Sequence, residues 1–540
     1  MRHYVWDDLN LIVELLRGIR CFERSFKHQI MTQLATVDAL PQRSEMKTDS
    51  IASGLSFMLI ANVLQRGVGF LRNLGFCCFL SEQQLGLWAL ASSFLLLAAP
   101  LAVLGLPGSL GRFVELYRVR NQLATYLRYI VLGSALGATG LCMLLVVLFP
   151  YASSTIFGEP QSLATMAMLS ATLLSVITFN FLTELLSGLR QARTVSSMQM
   201  VNSLSFTLLG LLSLRFSSDW RGVMASFAIA SLLGILPAWR SLTIRCSEAF
   251  QDQQSLSFRA MWQRILPYAA SVWVMNLLSN LFDVVDRYML LHLSSGSIET
   301  GQAVVGQFHS GRVLPILLTS LGLMINGMIL PYLSADWEAG RMDRVRSQIR
   351  STFSLIAIGF WGLSIAGLAI APWLFEQLLH GRYADGLSIM PLAMVHCIFA
   401  SLAMLLHSYL WCAERGRLIG SLIGSGLLLN IGLNYYWVPR SGVFGAMLST
   451  LIASAAILAA TIWLLRVSGY WIGRRNIFVA LLPLSLLVST SFSFVCFAIA
   501  LILTSRTDWL ICASDKKAVE QQLQPLLKRL GFKEAKIWWL

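Results

Sequence analysis

Thirteen apolar stretches run along the chain, at about 52–75, 85–107, 127–150, 162–186, 197–214, 220–238, 265–293, 304–333, 351–374, 387–411, 417–435, 442–465 and 477–504. Each is long enough to cross hydrocarbon as a helix, which takes about 20 residues. Lipid offers no partner to a backbone N–H or C=O, so a spanning segment must satisfy these groups within itself. The pattern therefore predicts an all-α polytopic membrane protein. Composition closes the soluble alternative: 56% of the 540 residues are hydrophobic and 13% charged, too little polar sequence to coat so large a core.

Charge adds an orientation. Numbering the loops in order, the even ones carry nineteen basic residues: Arg112, Arg118, Arg120 and Arg128; Arg190 and Arg193; Arg240, Arg245, Arg259 and Arg264; Arg341, Arg344, Arg346 and Arg350; Arg415 and Arg417; Arg466, Arg474 and Arg475. The odd loops carry Arg215, Arg221, Arg382 and Arg440. The even loops are thus expected to be cytoplasmic, with the N-terminus inside. This bias accounts for much of the formal charge of +14, and no nucleic-acid partner is needed to explain it.

The two ends fit less simply. A single crossing by 477–504 would place the basic segment 505–540 outside, although Val519, Leu523, Leu526, Leu527 and Leu530 mark it as an amphipathic helix suited to the anionic inner leaflet. Residues 1–50 read as a cytoplasmic or interfacial extension, with Leu9, Ile12, Val13, Leu16 and Ile19 on one helical face; translation from Met46 is the alternative. No signal peptide is expected there. Nine scattered cysteines form no CxxC pair or Cys/His cluster, so neither a metal nor another cofactor is expected.

The chain repeats itself weakly. Ala61-Asn62-Val63-Leu64-Gln65-Arg66 in the first span answers Met275-Asn276-Leu277-Leu278-Ser279-Asn280 in the seventh. Leu85-Gly86-Leu87-Trp88 answers Val305-Gly306-Gln307-Phe308, and both following segments reach a proline, Pro107 and Pro331. The expected organisation is two six-helix bundles related by this repeat, 51–238 and 265–465, joined by a cytoplasmic connector at 239–264. A further hydrophobic region at 466–504, expected as one C-terminal helix, follows. Parallel repeats of this kind place a pathway between the halves.

Charged residues inside the spans give the candidate site. Arg66 lies near the middle of the first span, Arg72 nearer its outer end, and Arg312 in the eighth; the rigid guanidinium fork suits phosphate. Asn62, Asn276 and Gln307 are candidate polar contacts for substrate. Asp283, Asp286, Arg287 and Glu184 form a second set, either an ion-coupling group or a structural charge network. Asp283 and Arg287 share a helical face at i,i+4 and are expected to pair, leaving Asp286 as the exchangeable carboxylate of a proton- or sodium-coupled mechanism. Pairing of Arg66 and Arg312 with these acids merely to hold the helices is the ordinary alternative.

The paired starts, the segment Asp283-Val284-Val285-Asp286-Arg287-Tyr288 and the run from Val305 to Pro331 resemble the polysaccharide-export and O-antigen flippase branch of the multidrug/oligosaccharidyl-lipid/polysaccharide transporter superfamily, over roughly 51–465. That resemblance implies a multi-pass protein of the bacterial inner membrane, without enzymatic activity, that moves polyprenyl-pyrophosphate-linked oligosaccharide by alternating access. It places Arg66 and Arg312, and more weakly Arg72, in a cationic cavity. Membrane lipid, a polysaccharide polymerase and glycosyltransferases are the partners it implies. A cation-coupled small-molecule exporter is one alternative, a membrane glycosyltransferase or ligase another. The short outer loops disfavour the enzyme, and the absence of a phosphate-binding Gly-rich loop disfavours a nucleotide-driven pump.

Overall fold

The computed structural model describes residues 51–239 and 257–506, with the side chains of 51–61 and 505 excepted. The N-terminal amphipathic face, Met46, the middle of the connector and the basic C-terminal segment lie outside the described residues. Within them the protein is all helix, and ten helices are long and apolar enough to cross a membrane.

Before the connector the chain forms α1 (Ile51–Phe79), α2 (Glu82–Val103), α3 (Leu110–Val119), α4 (Leu123–Val147), α5 (Phe149–Phe157), α6 (Leu163–Gly188), α7 (Ala192–Phe216) and α8 (Trp220–Leu233). After it come α9 (Phe258–Leu293), α10 (Ile298–Gly311), α11 (Pro315–Glu338), α12 (Met342–Trp373), α13 (Ala384–Cys412), α14 (Gly416–Val467), α15 (Arg474–Leu481) and α16 (Thr490–Arg506). In the first half α1 packs on α7, α7 on α8, and α6 on α4 and α8. In the second half α13 is the hub, touching α10, α11, α12 and α14, and most of its residues are buried.

Several boundaries follow from local chemistry. Ser81, Ser162 and Ser297 cap α2, α6 and α10 by accepting a backbone N–H three residues on. The eighth stretch is interrupted: α10 closes at Gly311, and Pro315 opens α11 at a position where its missing N–H is harmless. The two arms of α14 are separate crossings, because Gly442 (φ 51°, ψ −127°) reverses the chain. Asn430 donates to Thr450 Oγ1 at 3.2 Å. Twenty residues of straight helix would hold these apart by about 30 Å.

The last hydrophobic region corrects the expectation of one helix. α15 runs into a 3-10 segment, Leu482–Leu487, before α16 begins at Thr490. Ser485 and Ser493 Oγ lie 2.8 Å apart, so the chain turns back between them. Pro483 at the start of the 3-10 segment and the Ser489-Thr490 pair end the regular helix. Trp361 Nε1 then fixes Ser493 to α12 at 2.7 Å.

Loops gather by parity. At one end Arg382 donates to the carbonyls of Cys78 (2.6 Å) and Leu80 (3.5 Å), and Gln302 donates to Phe157 O and Glu159. These are loops one, three, seven and nine. At the other end Tyr470 reaches Arg346 O, and Arg415 reaches Ser468, linking loops eight, ten and twelve. The alternation read from arginine counts is thus present in the packing itself.

Candidate functional site

Two closures bracket the interior between the halves. At the odd-loop end α2 crosses α10 so closely that a Cβ on Gly86 would lie 1.8 Å from Gln302 O, and one on Gly306 2.0 Å from Glu82 O. Only glycine permits that approach. At the even-loop end the first turns of α9 leave the second half: Met261, Ile265 and Ala269 pack in one cluster with Leu106, Leu110, Phe113 and Tyr126. Gly105 (φ 70°) lets Ala269 O come near, since a Cβ there would meet it at 2.6 Å.

Between these closures lie most of the charged positions. Counting residues from the odd-loop end, Arg66, Arg312 and Asp283 sit about 20, 21 and 15 Å deep along their helices. Arg66 is exposed, yet its Nη1 donates to Ser320 Oγ at 3.0 Å, joining α1 to α11 across the halves. Arg312 ends α10, half-buried, with Nη1 3.4 Å from Asp283 O and its guanidinium 5.5 Å from the Phe308 ring. Arg287 donates to Ser93 Oγ of α2 at 2.5 Å, and Asn280 donates to Leu96 O at 3.1 Å, so α9 and α2 are sewn together along one face.

The expected Asp283–Arg287 pair is not formed. Among the described residues the ion pairs are Arg118–Glu115 and Arg341–Asp336, both at the even-loop end. Arg287 turns to the Ser93 hydroxyl on the neighbouring helix, and Asp283 stays exposed. The helical spacing allowed the pair, but interhelical packing set the direction of the guanidinium. Neither Arg66 nor Arg312 forms an ion pair with an acid among the described residues. Unpartnered polar atoms collect here too: Arg287 Nε and both ring nitrogens of His309 are buried without a hydrogen-bond partner.

Other candidates are dispersed. Arg72 is held within the first half, its guanidinium 4.4 Å from the Phe206 ring. Gln307 is buried, with Nε2 on Arg382 O (3.0 Å) and Oε1 accepting from Gly386 N (3.1 Å), which makes it an anchor for the loop that holds Arg382. Asn276 is exposed, Asn62 half-buried, and Glu184 exposed toward the even-loop end of α6.

A second cluster surrounds Asp286, which is fully buried. Thr450 Oγ1 donates to its Oδ2 at 2.5 Å and Asn434 Nδ2 to its Oδ1 at 2.7 Å. Asn434 also donates to Asn430 Oδ1 at 3.1 Å, while its own Oδ1 is buried without a partner. Thr450 lies 3.0 Å from Ala446 O. Carboxylate, amide, hydroxyl and carbonyl oxygens thus converge from α9 and both arms of α14, with no basic side chain in an ion pair. Asn434 and Thr450 were not singled out in sequence; their signal is weak, an Asn at i,i+4 from Asn430 and a Thr in an otherwise apolar run. Among the described residues no group of three His, Cys, Asp or Glu side chains could hold a metal.

The described residues define a multi-pass helical membrane protein with a polar interior between its halves. Residues 51–337 match the family model described as polysaccharide biosynthesis protein, and the chain belongs to that family. A relative from Bacillus subtilis (strain 168), the uncharacterized membrane protein YabM, is 22% identical over 460 residues, covering 82% of this chain and 85% of that one. Among solved structures, lipid II flippase MurJ in an inward closed conformation superposes with a TM-score of 0.63 at 13% identity, over 86% of this chain and 99% of that one. A superfamily transporter from Pyrococcus furiosus, described as having a binding pocket of reverse polarity, gives 0.54 at 14% identity over 79% and 99%. At such identities the structures share the fold.

Proposed function

We propose that this protein carries polyprenyl-pyrophosphate-linked oligosaccharide across the bacterial inner membrane by alternating access, with the arginine-rich even loops in the cytoplasm. The observation that carries this reading is the pair of guanidinium groups at mid-depth between the halves, Arg66 and Arg312, with Arg287 nearer the odd-loop end; none of the three is in an ion pair with an acid among the described residues. An arginine at the centre of a membrane helix costs about 2.5–3.5 kcal/mol on insertion scales, more in simulations. A pyrophosphate passing between them offsets part of that cost through charge-assisted hydrogen bonds. Affinity stays moderate because Arg66 is shared with Ser320 and Arg287 with Ser93.

The halves act as two six-helix bundles related by the internal repeat. Gly86 and Gly306 occupy matching places in the repeat, and they face each other, each with a Cβ position within 3.2 Å of the other's backbone N. Equivalent residues meet in this way at a two-fold axis. Asp286 supplies the coupling: a buried carboxylate held only by neutral donors favours a proton or a monovalent cation, and the surrounding oxygens are hard ligands suited to either. Arg72 supports the site from within the first half.

Reconstitution with a headgroup-accessible polyprenyl-pyrophosphate sugar tests the reading by leaflet exchange. Arg66→Ala is expected to slow exchange at least tenfold with normal insertion, and Arg66→Lys to retain an intermediate rate. Unchanged exchange in Arg66→Ala removes Arg66 from the headgroup path, and exchange of cationic drugs in place of lipid-linked sugars supports the exporter instead.

A further inference from the structure

Three helices of the first half begin around one depression at the odd-loop end: α2 behind Ser81, α6 behind Ser162 and α8 behind Asp219. Between their starts is a cavity of about 370 Å³, lined by Gln83, Gln84, Glu159, Gln161, Asp219 and Arg221 among others. That volume falls in the range of small-ligand pockets, about 300–1,000 Å³. It is separate from the arginines between the halves.

The wall is organised by its own hydrogen bonds. Glu159 Oε1 accepts from Gln161 Nε2 (3.0 Å) and Gln302 Nε2 (3.1 Å); Gln161 Oε1 accepts from Arg221 Nη2 (3.3 Å). Gln84 Oε1 accepts from Trp220 N (3.0 Å), Asp219 Oδ1 from Arg221 N (3.0 Å), and Gln83 Nε2 donates to Gln302 Oε1 (2.9 Å). These contacts fix the side chains and leave a mixed set over. Glu159 Oε2, Asp219 Oδ2 and Gln83 Oε1 remain as acceptors, and Gln84 Nε2 and Arg221 Nη1 as donors, without a protein partner among the described residues.

Interspersed acceptors and donors match groups that both donate and accept, as hydroxyls do. Two carboxylates oppose an anion, and a lining this polar opposes a lipid tail. Two acids with amides, and no third metal-ligating side chain, are a poor cation cage. Pre-set side chains reduce the ordering cost of binding a small polar ligand.

We infer that this cavity is a saccharide-binding pocket that takes one or two neutral sugar residues from the odd-loop side of the membrane. Its extracytoplasmic placement rests on the orientation proposed above, and its chemistry does not. Glu159 and Gln83 also hold Gln302, whose backbone carbonyl forms the Gly86 contact, so the pocket borders the closure between α2 and α10.

The test is saturation-transfer NMR on the full chain in nanodiscs, with maltotriose, chitotriose and isomaltotriose as probes free of lipid and phosphate. At least one probe is expected to give saturable transfer, weakened at least tenfold by Glu159→Gln and by Gln84→Leu, and retained in Arg66→Ala. Normal exchange of lipid-linked sugar by Gln84→Leu reports that this variant is folded. Absence of saturable transfer from all three probes overturns the pocket, as does binding that neither substitution weakens. Sugar binding without lipid-linked exchange leaves the pocket standing and removes the transport reading; exchange without sugar binding does the reverse.

Discussion

Asp286 and Arg66 show how differently two charges within the helices behave when their neighbours differ. Asp286 is enclosed by neutral donors on helices that pack tightly, whereas Arg66 reaches from one half to a hydroxyl on the other. The first arrangement suits a small ion, the second a headgroup that arrives and leaves. Asp286→Asn is therefore expected to abolish the dependence of lipid exchange on a proton or sodium gradient; a gradient-driven rate identical to that of the unsubstituted protein removes Asp286 from coupling. Thr450→Val withdraws one donor from a buried carboxylate and should cost about 1–3 kcal/mol, read by thermal unfolding in detergent. Arg66, Arg312 and Asp286 were legible in sequence because a charge in hydrocarbon is conspicuous. Asn434, Thr450 and Ser320 were not, since single polar residues within apolar helices are common and acquire meaning only from what faces them.

At the scale of elements, the succession of long apolar helices and the alternation of basic loops were readable because hydropathy and arginine counts are properties of the chain alone. Interruptions were harder. Gly311-Arg312-Val313-Leu314-Pro315 breaks the eighth stretch and Gly442 reverses α14, both at residues with a clear backbone reason. The turn between Ser485 and Ser493 escaped the hydropathy pattern, because apolar composition does not distinguish one long helix from two short arms. The α2–α10 crossing is the element on which the closed state depends. Gly86→Leu places side-chain atoms where Gln302 O now lies, an overpacking of about 1–3 kcal/mol. With Cys78 as the lone thiol, this substitution should raise its labelling by an impermeant maleimide at least fivefold; labelling equal to that of the glycine protein shows that the crossing does not govern access.

For the whole molecule, the proposed alternating access requires the odd-loop end to separate. Cys78 Sγ lies 3.7 Å from Leu378 O, so loops one and nine touch there and Leu378→Cys adds a second thiol at that seam. Oxidation of this variant is expected to form a disulfide and reduce exchange at least tenfold, with recovery on reduction. Full exchange by the oxidised, cross-linked protein excludes opening along that seam.

The sequence by itself determined that the chain lives in a bilayer, how its crossings alternate and which charges must find company inside, because hydrocarbon penalises unpaired polar groups wherever the helices end up. Tertiary structure alone decided the company. Arg287 takes Ser93 rather than Asp283, Asp286 takes two asparagine- and threonine-bearing arms, and Gly86 meets Gly306, since each choice depends on the crossing of helices far apart in the chain.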